Sequence, residues 1–255
     1  MSHSKFPGFM ANKPHIAAQL TGHEREGLVQ RMFSSIAHRY DLNNTILSFG
    51  FHHHWKWVAC QVVSEAHPNN VIDIGAGTCD LSLMLARKFP VTCQIMAVDL
   101  NEEMLEVGVE KIRAAACEDR IHCCRGNAES LGFQSNVFDV AMAGFCIRNV
   151  GQLDIALQEI YRVIKPGGQF ICLEFSRPTT RWLRSLYDWY SLRILPWVGT
   201  LVAADQTAVY RYLPLSIREF PDQDALAGRM RRAGFNTVDY QNLSGGIVAI
   251  HRAVK

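Results

Sequence analysis

Val71-Ile72-Asp73-Ile74-Gly75-Ala76-Gly77-Thr78-Cys79-Asp80 sets two glycines directly after a buried-strand pattern and ahead of a helical one. Glycine lacks the side chain that keeps a ligand off the backbone, so Gly75 and Gly77 mark a strand-to-helix loop suited to a nucleotide-like cofactor. A dinucleotide loop wants a third small residue at position 80. Asp80 stands there instead and would repel a pyrophosphate, which makes NAD the weaker reading. S-adenosylmethionine carries a ribose diol, an adenine and an α-ammonium but no phosphate, and it suits carboxylates around the same loop.

Working outward, short apolar runs alternate with amphipathic helical stretches from Asn70 to Ser176, the signature of βαβ units and a mostly parallel α/β sheet. Strands are expected at Val71–Ile74, Cys93–Asp99, Arg120–Arg125, Val137–Ala143 and Gln169–Glu174. Asp99 closes the second strand, where a carboxylate can accept both ribose hydroxyls. Gly126-Asn127-Ala128-Glu129 follows the third and offers an amide and backbone N–H groups to an adenine edge. Asn101 is a suitable N-cap, with Glu102 and Glu103 in the first turn where the helix dipole favours anions. The Lys165-Pro166-Gly167-Gly168 turn should end a helix over Leu153–Ile164 and launch the fifth strand.

The chain has 255 residues, 48% hydrophobic and 20% charged, with a formal charge of +2, so no basic field points to nucleic acid. Its eight cysteines form no C-x-x-C pair and several sit in apolar runs, which predicts buried thiols and not a disulfide framework. Met1–Leu20 has no apolar core run and does not read as a secretory signal, and no stretch is long enough to span a membrane. The expected organisation is a flexible N-terminus over 1–22 and a single domain over 23–255. That domain divides into a helical cap (23–66), a cofactor-binding core (67–176), and lid helices with a C-terminal hairpin (177–255) containing the alternations Asn236–Asn242 and Gly246–His251.

Tyr40-Asp41-Leu42-Asn43-Asn44-Thr45-Ile46-Leu47-Ser48, followed by His52 and Trp55, resembles the first signature of the ubiquinone/menaquinone biosynthesis C-methyltransferases. Arg162-Val163-Ile164-Lys165-Pro166-Gly167-Gly168-Gln169-Phe170, with Glu174 and Ser176, resembles their second. Arg148-Asn149-Val150, Leu195-Pro196 with Gly199, Tyr210-Arg211-Tyr212-Leu213, Ser216-Ile217, Phe220-Pro221-Asp222-Gln223 and Gly245 to His251 are similar to further family segments, so the likeness runs from Phe33 to Lys255. It implies a class I S-adenosylmethionine-dependent methyltransferase fold, Rossmann-like, with a seven-stranded sheet whose last hairpin brings one antiparallel strand. The implied cofactor positions are Thr78, Asp99, Asn127 and Ala128, joining Asp73, Gly75 and Gly77 of the loop. Cys79, Gly144 and Cys146 depart from the family pattern. A positive φ at Cys79 would carry about 1 kcal/mol of strain, and its side chain is expected to crowd the methionine end of the cofactor.

The implied reaction is C-methylation of a prenylated benzoquinol or naphthoquinol. A ring carbon attacks well only when a phenol is ionised or losing its proton, and a phenol of pKa near 10 is about 3 units, or roughly 4 kcal/mol, from ionising at pH 7. Arg148 is the expected cation for that charge, Asn149 would orient it or a water, and Tyr40 from the cap would complete the hydrogen bonds. The same water or Asp41 would accept the ring proton. The aromatic segment Trp182–Trp197 has Leu183, Leu186, Tyr187, Tyr190 and Ile194 on one face; a buried cap helix is favoured slightly over a wall for the prenyl tail or a membrane-surface helix. His52-His53-His54 lacks metal-ligand spacing, and no metal is expected. The implied partners are the quinol, peripheral contact with the inner face of a membrane from the cytoplasm, and a homodimer or quinone-biosynthesis complex, with no nucleic acid. Two alternatives stay open: a methyltransferase of another small aromatic, and a non-catalytic cofactor-binding accessory subunit.

Overall fold

A computed structural model of the chain describes residues 22–194 and 209–255. The expected flexible stretch 1–22, apart from Gly22, and Leu195-Pro196, Trp197 and Gly199 lie outside the described residues. The strands are β1 (Asn70–Ile74), β2 (Gln94–Asp99), β3 (Ile121–Arg125), β4 (Phe138–Gly144), β5 (Ile164–Phe175), β6 (Thr237–Leu243) and β7 (Val248–Val254). They form one sheet in the order β3-β2-β1-β4-β5-β7-β6, in which β7 alone runs antiparallel to its neighbours β5 and β6. This is the class I methyltransferase arrangement, and the strand order reverses at β1 and β4. Crevices for ligands open at the carboxyl ends of the strands flanking that reversal.

Near-continuous apolar runs such as Val71-Ile72 bury both faces of the sheet, as parallel strands require. One face packs Val71, Val140 and Ile171 against Trp55, Ala59 and Val63 of α3 (Phe51–Ser64) and Leu81 and Leu85 of α4 (Asp80–Lys88). The other packs Ile72, Ala141 and Phe170 against Leu157 and Ile160 of α6 (Leu153–Val163) and Leu226 and Met230 of α9 (Gln223–Arg232). Asn101 caps α5 (Glu102–Ala114) by accepting from Met104 N at 3.0 Å, as the sequence predicts. Helix α6 ends one residue before the expected Ile164, because Ile164 already pairs with Phe138. The Lys165–Gly168 turn lies inside β5 as a shift in register, after which Val140 pairs with Gln169.

The cap comprises α1 (Gly22–Ile36), a 3-10 turn over Ala37–Arg39, α2 (Tyr40–Leu47) and α3. Its own small core of Val29, Met32, Ile36 and Leu47 takes in Tyr212 from α8 (Val209–Glu219). Asn101 Nδ2 donates to Gln30 O at 3.0 Å and Ser34 Oγ at 2.9 Å, fixing the cap over α5. Among the described residues no helix is long and apolar enough to cross a membrane.

The aromatic segment corrects one expectation. Helix α7 (Arg181–Trp189) and the π-helical turn Tyr190–Ile194 follow the predicted span, but no residue of α7 is buried, and Trp182 and Trp189 are 69% and 57% exposed. Its inward face sets Leu183, Leu186, Tyr187 and the edge of Trp189 against a cavity, so α7 is a wall and not a buried helix.

Candidate active site

The glycine loop folds back over β2, with Gly75 N and Ala76 N both donating to Val98 O at 2.8 and 3.0 Å. Gly77 has φ +54°, and its N–H donates to Asp99 Oδ2 at 2.8 Å, while Asn101 N donates to Asp99 Oδ1 at 2.8 Å. Each oxygen therefore has a backbone donor, the Leu100 N–H adds a third, and the carboxylate still keeps a lone pair for a ligand. Burial raises the Asp99 carboxyl, and the backbone N–H groups oppose that shift. A Cβ on Gly75 would sit 2.4 Å from Cys146 Cβ, so glycine there is required by the cysteine packed on the loop.

Cys79 does adopt φ +60°, the strained conformation anticipated for it. Its side chain lines neither cavity, however. It packs beneath the loop, 3.8 Å from Cys123 Sγ, and a Cβ on Gly108 would come within 2.5 Å of its sulfur. The expected crowding of the methionine end does not occur, because α5 carries a glycine where the thiol needs room. All eight cysteines are free thiols, four of them buried and the rest partly so.

Two cavities meet at this loop. The smaller, about 110 Å³, is lined by Asp99, Asn127 and Ala128 at the strand ends, with Cys146 and Asn149 opposite. The larger, about 660 Å³, is lined by cap, sheet ends, α7 and α8, and is predominantly apolar. Phe33, Tyr40, Gly75, Gly77, Gly144 and Phe145 belong to both walls. Asp73 reaches neither. It is buried below the loop, accepting from Ser82 Oγ at 2.6 Å with Oδ1 unpartnered, and burial pushes its carboxyl up to about 6 against that hydrogen bond.

Arg148 stands on the wall of the larger cavity, but its charge is not bare. Its Nη1 donates to Glu174 Oε1 at 2.7 Å and to Phe145 O, and Phe175 lies 5.4 Å from the guanidinium carbon. Burial works against the charged form, yet Glu174, then Tyr40 and Tyr212, hold the Arg148 pKa above its usual range. Tyr40 is raised by burial against an opposing hydrogen bond with the Asn44 side chain, so it remains a neutral phenol. Asn149 Oδ1 accepts from Tyr212 OH at 3.2 Å, which ties the β4 end to α8. The cavity floor is aromatic: Trp55, Phe145 and Phe175 pack with centroids 4.7 to 6.2 Å apart, and Trp55 Nε1 donates to Ser244 Oγ at 2.9 Å.

Several participants escape sequence reading. Thr78 Oγ1 donates to Asp41 Oδ1 at 2.7 Å, Lys111 Nζ bridges Asp41 (2.6 Å) to Asp80, and Lys56 Nζ reaches Asp80 Oδ2 at 2.9 Å. Burial alone would raise the Asp80 carboxyl, but the two lysines outweigh it and bring it down to about 2. This charged network spans the cap and the loop, and nothing in the local pattern around Lys56 or Lys111 announces it. His52 is the second. It is 4% exposed, lines the larger cavity, and its Nε2 has no hydrogen-bond partner. An unsatisfied buried acceptor costs about 1–3 kcal/mol. The first family signature includes His52, and the spacing Ser48-x-x-x-His52 is the local signal for its hydrogen bond. His53 and His54 are exposed, and among the described residues no group of three His, Cys, Asp or Glu is placed to hold a metal.

The donor set fits S-adenosylmethionine: a free lone pair on Asp99, glycine backbone at Gly75 and Gly77, an amide at Asn127, and both charge signs beside Thr78, at Lys56 and Asp80, for an amino-acid end. Comparison with known proteins agrees. The ubiE/COQ5 methyltransferase family matches residues 20–255. The chain is 43% identical to the ubiquinone/menaquinone biosynthesis C-methyltransferase UbiE of Pectobacterium atrosepticum over 232 residues, covering 91% of this chain and 92% of that one. To UbiE of Escherichia coli it is 41% identical over 242 residues, 94% and 96% of the two chains. A solved methyltransferase of Thermotoga maritima, described as a possible histamine N-methyltransferase, superposes with a TM-score of 0.59 at 20% identity, covering 88% of this chain and 99% of that one, and shows the shared fold. The chain belongs to the ubiE/COQ5 methyltransferase family and is an S-adenosylmethionine-dependent C-methyltransferase.

Proposed function

We propose, with that family membership as the premise, that the chain methylates a ring carbon of a prenylated benzoquinol or naphthoquinol. The observation that carries this is the junction of a small cavity of mixed polarity with a large apolar one along the shared wall Tyr40, Gly75, Gly77, Gly144 and Phe145. Bound S-adenosylmethionine would supply an electrophilic methyl group. Asp99 would hold the ribose hydroxyls, Asn127 and Ala128 the adenine edge, and Thr78 with Asp80 and Lys56 the amino-acid end. Asp73 would act from beneath, bracing the loop through Ser82. The apolar walls would align the acceptor ring and exclude water, which is where much of the acceleration comes from.

The Arg148–Glu174 pair bears on the charge step. A guanidinium already matched by a carboxylate contributes a dipole and not a full cation, so it offsets only part of the roughly 4 kcal/mol that a free phenolate requires. The acceptor therefore keeps its proton on binding and passes it to a water as the carbon attacks and the sulfonium–methyl bond breaks; the methylated carbon then gives its C–H proton to water and the oxygen regains one, restoring the aromatic ring, with Tyr40 and Arg148 bordering it. No metal is assigned, since a quinol carbon needs none to attack a sulfonium methyl. A prenyl tail also explains the cavity mouth: Phe49, Phe51, Leu186 and Trp189 line the cavity and are exposed, Phe49 at 76%. Such a rim suits peripheral contact with the cytoplasmic face of a membrane, from which a lipid quinol would enter.

The test is transfer of labelled methyl from S-adenosylmethionine to a reduced short-tail demethylquinol, with the label located by mass and NMR. Label on a ring carbon is expected. Label on oxygen, or none on any quinol, would overturn the proposal.

A further inference from the structure

His52 lies on the wall of the apolar cavity with a hydrogen-bond state that its neighbours dictate. Ser48 Oγ donates to Asn44 O at 2.6 Å, and a carbonyl oxygen can only accept. With its single proton committed there, Ser48 Oγ must accept from His52 Nδ1, which lies 2.8 Å away and so carries the imidazole N–H. Nε2 is then the unprotonated nitrogen, a bare lone pair, buried and without a partner among the described residues. The groups around it keep the ring neutral. Burial first, then Lys56 and His53 on α3, hold its pKa down to about 4, against weaker opposing pulls from Asp80 on α4 and Asp41 on α2.

We propose that His52 Nε2 reads the oxidation state of the acceptor: it takes a hydrogen bond from a ring hydroxyl of the quinol and turns away the quinone. The inference rests on the proposed function and deepens it. A quinol brings an O–H donor to the lone pair. A quinone brings only carbonyl oxygens, so two acceptors face each other in an apolar enclosure and both stay unsatisfied. Sites built to bond a substrate hydroxyl reject the analogue lacking the donor far more strongly than apolar shape alone permits. The reduced ring is also the one with a nucleophilic carbon, so the selection keeps the unreactive form from occupying the cavity.

The experiment measures binding of a short-tail demethylquinol and of its quinone to the full chain loaded with S-adenosylhomocysteine, anaerobically, by quenching of tryptophan fluorescence. Turnover of the quinol is followed separately. The wild-type protein should bind the quinol at least ~10-fold more tightly than the quinone, with the ratio flat from pH 8 to pH 5 and collapsing only as pH falls toward 4. His52→Gln, whose amide both donates and accepts, should bind the quinone at least ~10-fold more tightly than wild type does, a gain that loss of structure would not produce. His52→Phe should bring the ratio near unity while S-adenosylhomocysteine affinity and melting temperature stay close to wild type. A wild-type ratio near unity, or one unchanged in both variants, would overturn the inference. Absence of turnover with an intact binding ratio would overturn the methyltransferase substrate assignment and leave His52's discrimination standing.

Discussion

The two cavities teach different things because they are built differently. The smaller one is made mainly by consecutive strand ends, with Gly75 and Gly77 after β1, Asp99 closing β2, Asn127 and Ala128 after β3, and Gly144, Cys146 and Asn149 at the end of β4, while Phe33 and Tyr40 of the cap close it over. Its geometry follows from the sheet, and backbone N–H groups fix its central carboxylate. The apolar one is assembled by tertiary packing of segments far apart in sequence: the cap, the β4 and β5 ends, α7, α8 and the β6–β7 turn. One site is held by backbone hydrogen bonds, the other by side chains meeting side chains. The first should tolerate change around it and fail when its carboxylate goes, whereas the second should fail by loss of packing or charge balance.

The largest expected effect is at the buried ion pair on the apolar side. Arg148→Ala leaves Glu174 charged and enclosed, and should destabilise the protein by about 3–5 kcal/mol in a denaturant titration. Replacing both partners, Arg148→Met with Glu174→Met, should restore most of that stability without restoring methyl transfer. Full activity in the double variant would remove Arg148 from the chemistry and sharpen the contrast between architecture and catalysis. On the polar side, Asp99→Ala should weaken S-adenosylhomocysteine binding by about 10- to 100-fold in calorimetry, through loss of charged hydrogen bonds. Quinol binding in the neighbouring cavity should be nearly unchanged. Equal loss at both sites would break the division drawn here.

That division also explains what was legible in the sequence. Local pattern located β1 to β4 to within a residue, because each is a short, mainly apolar run set between helical stretches and closed by a turn or loop. Gly75, Gly77, Thr78, Asp99, Asn127 and Ala128 were legible for the same reason, since a position just after a strand fixes where a residue lies. Asp73, read with the cofactor loop, lies beneath it and lines neither cavity, because strand alternation puts it on the face that packs against Ser82. The apolar side was harder to read. That Arg148 meets Glu174, that Lys111 links Asp41 to Asp80, and that Ser48 sets the His52 tautomer are facts of packing between elements. The exposure of α7 was likewise missed, because an amphipathic pattern names a face without saying how much lies opposite it.

A smaller effect concerns the rim. Phe49→Ser or Trp189→Ser should weaken association with anionic lipid vesicles by about 1–2 kcal/mol, read by co-sedimentation, through lost apolar burial. Turnover of a tail-less, water-soluble acceptor should be unaffected. Loss of that turnover would show that the rim shapes the ring site and does more than receive lipid.

Whether the apolar cavity is the acceptor site is measured most directly by kcat/KM for labelled methyl transfer to quinols bearing no, one, two and three prenyl units. Each unit that enters the 660 Å³ cavity buries five carbons, so kcat/KM should rise at least ~10-fold over the first additions and level off once the tail reaches the exposed mouth. A profile that is flat or falls with tail length would contradict the assignment.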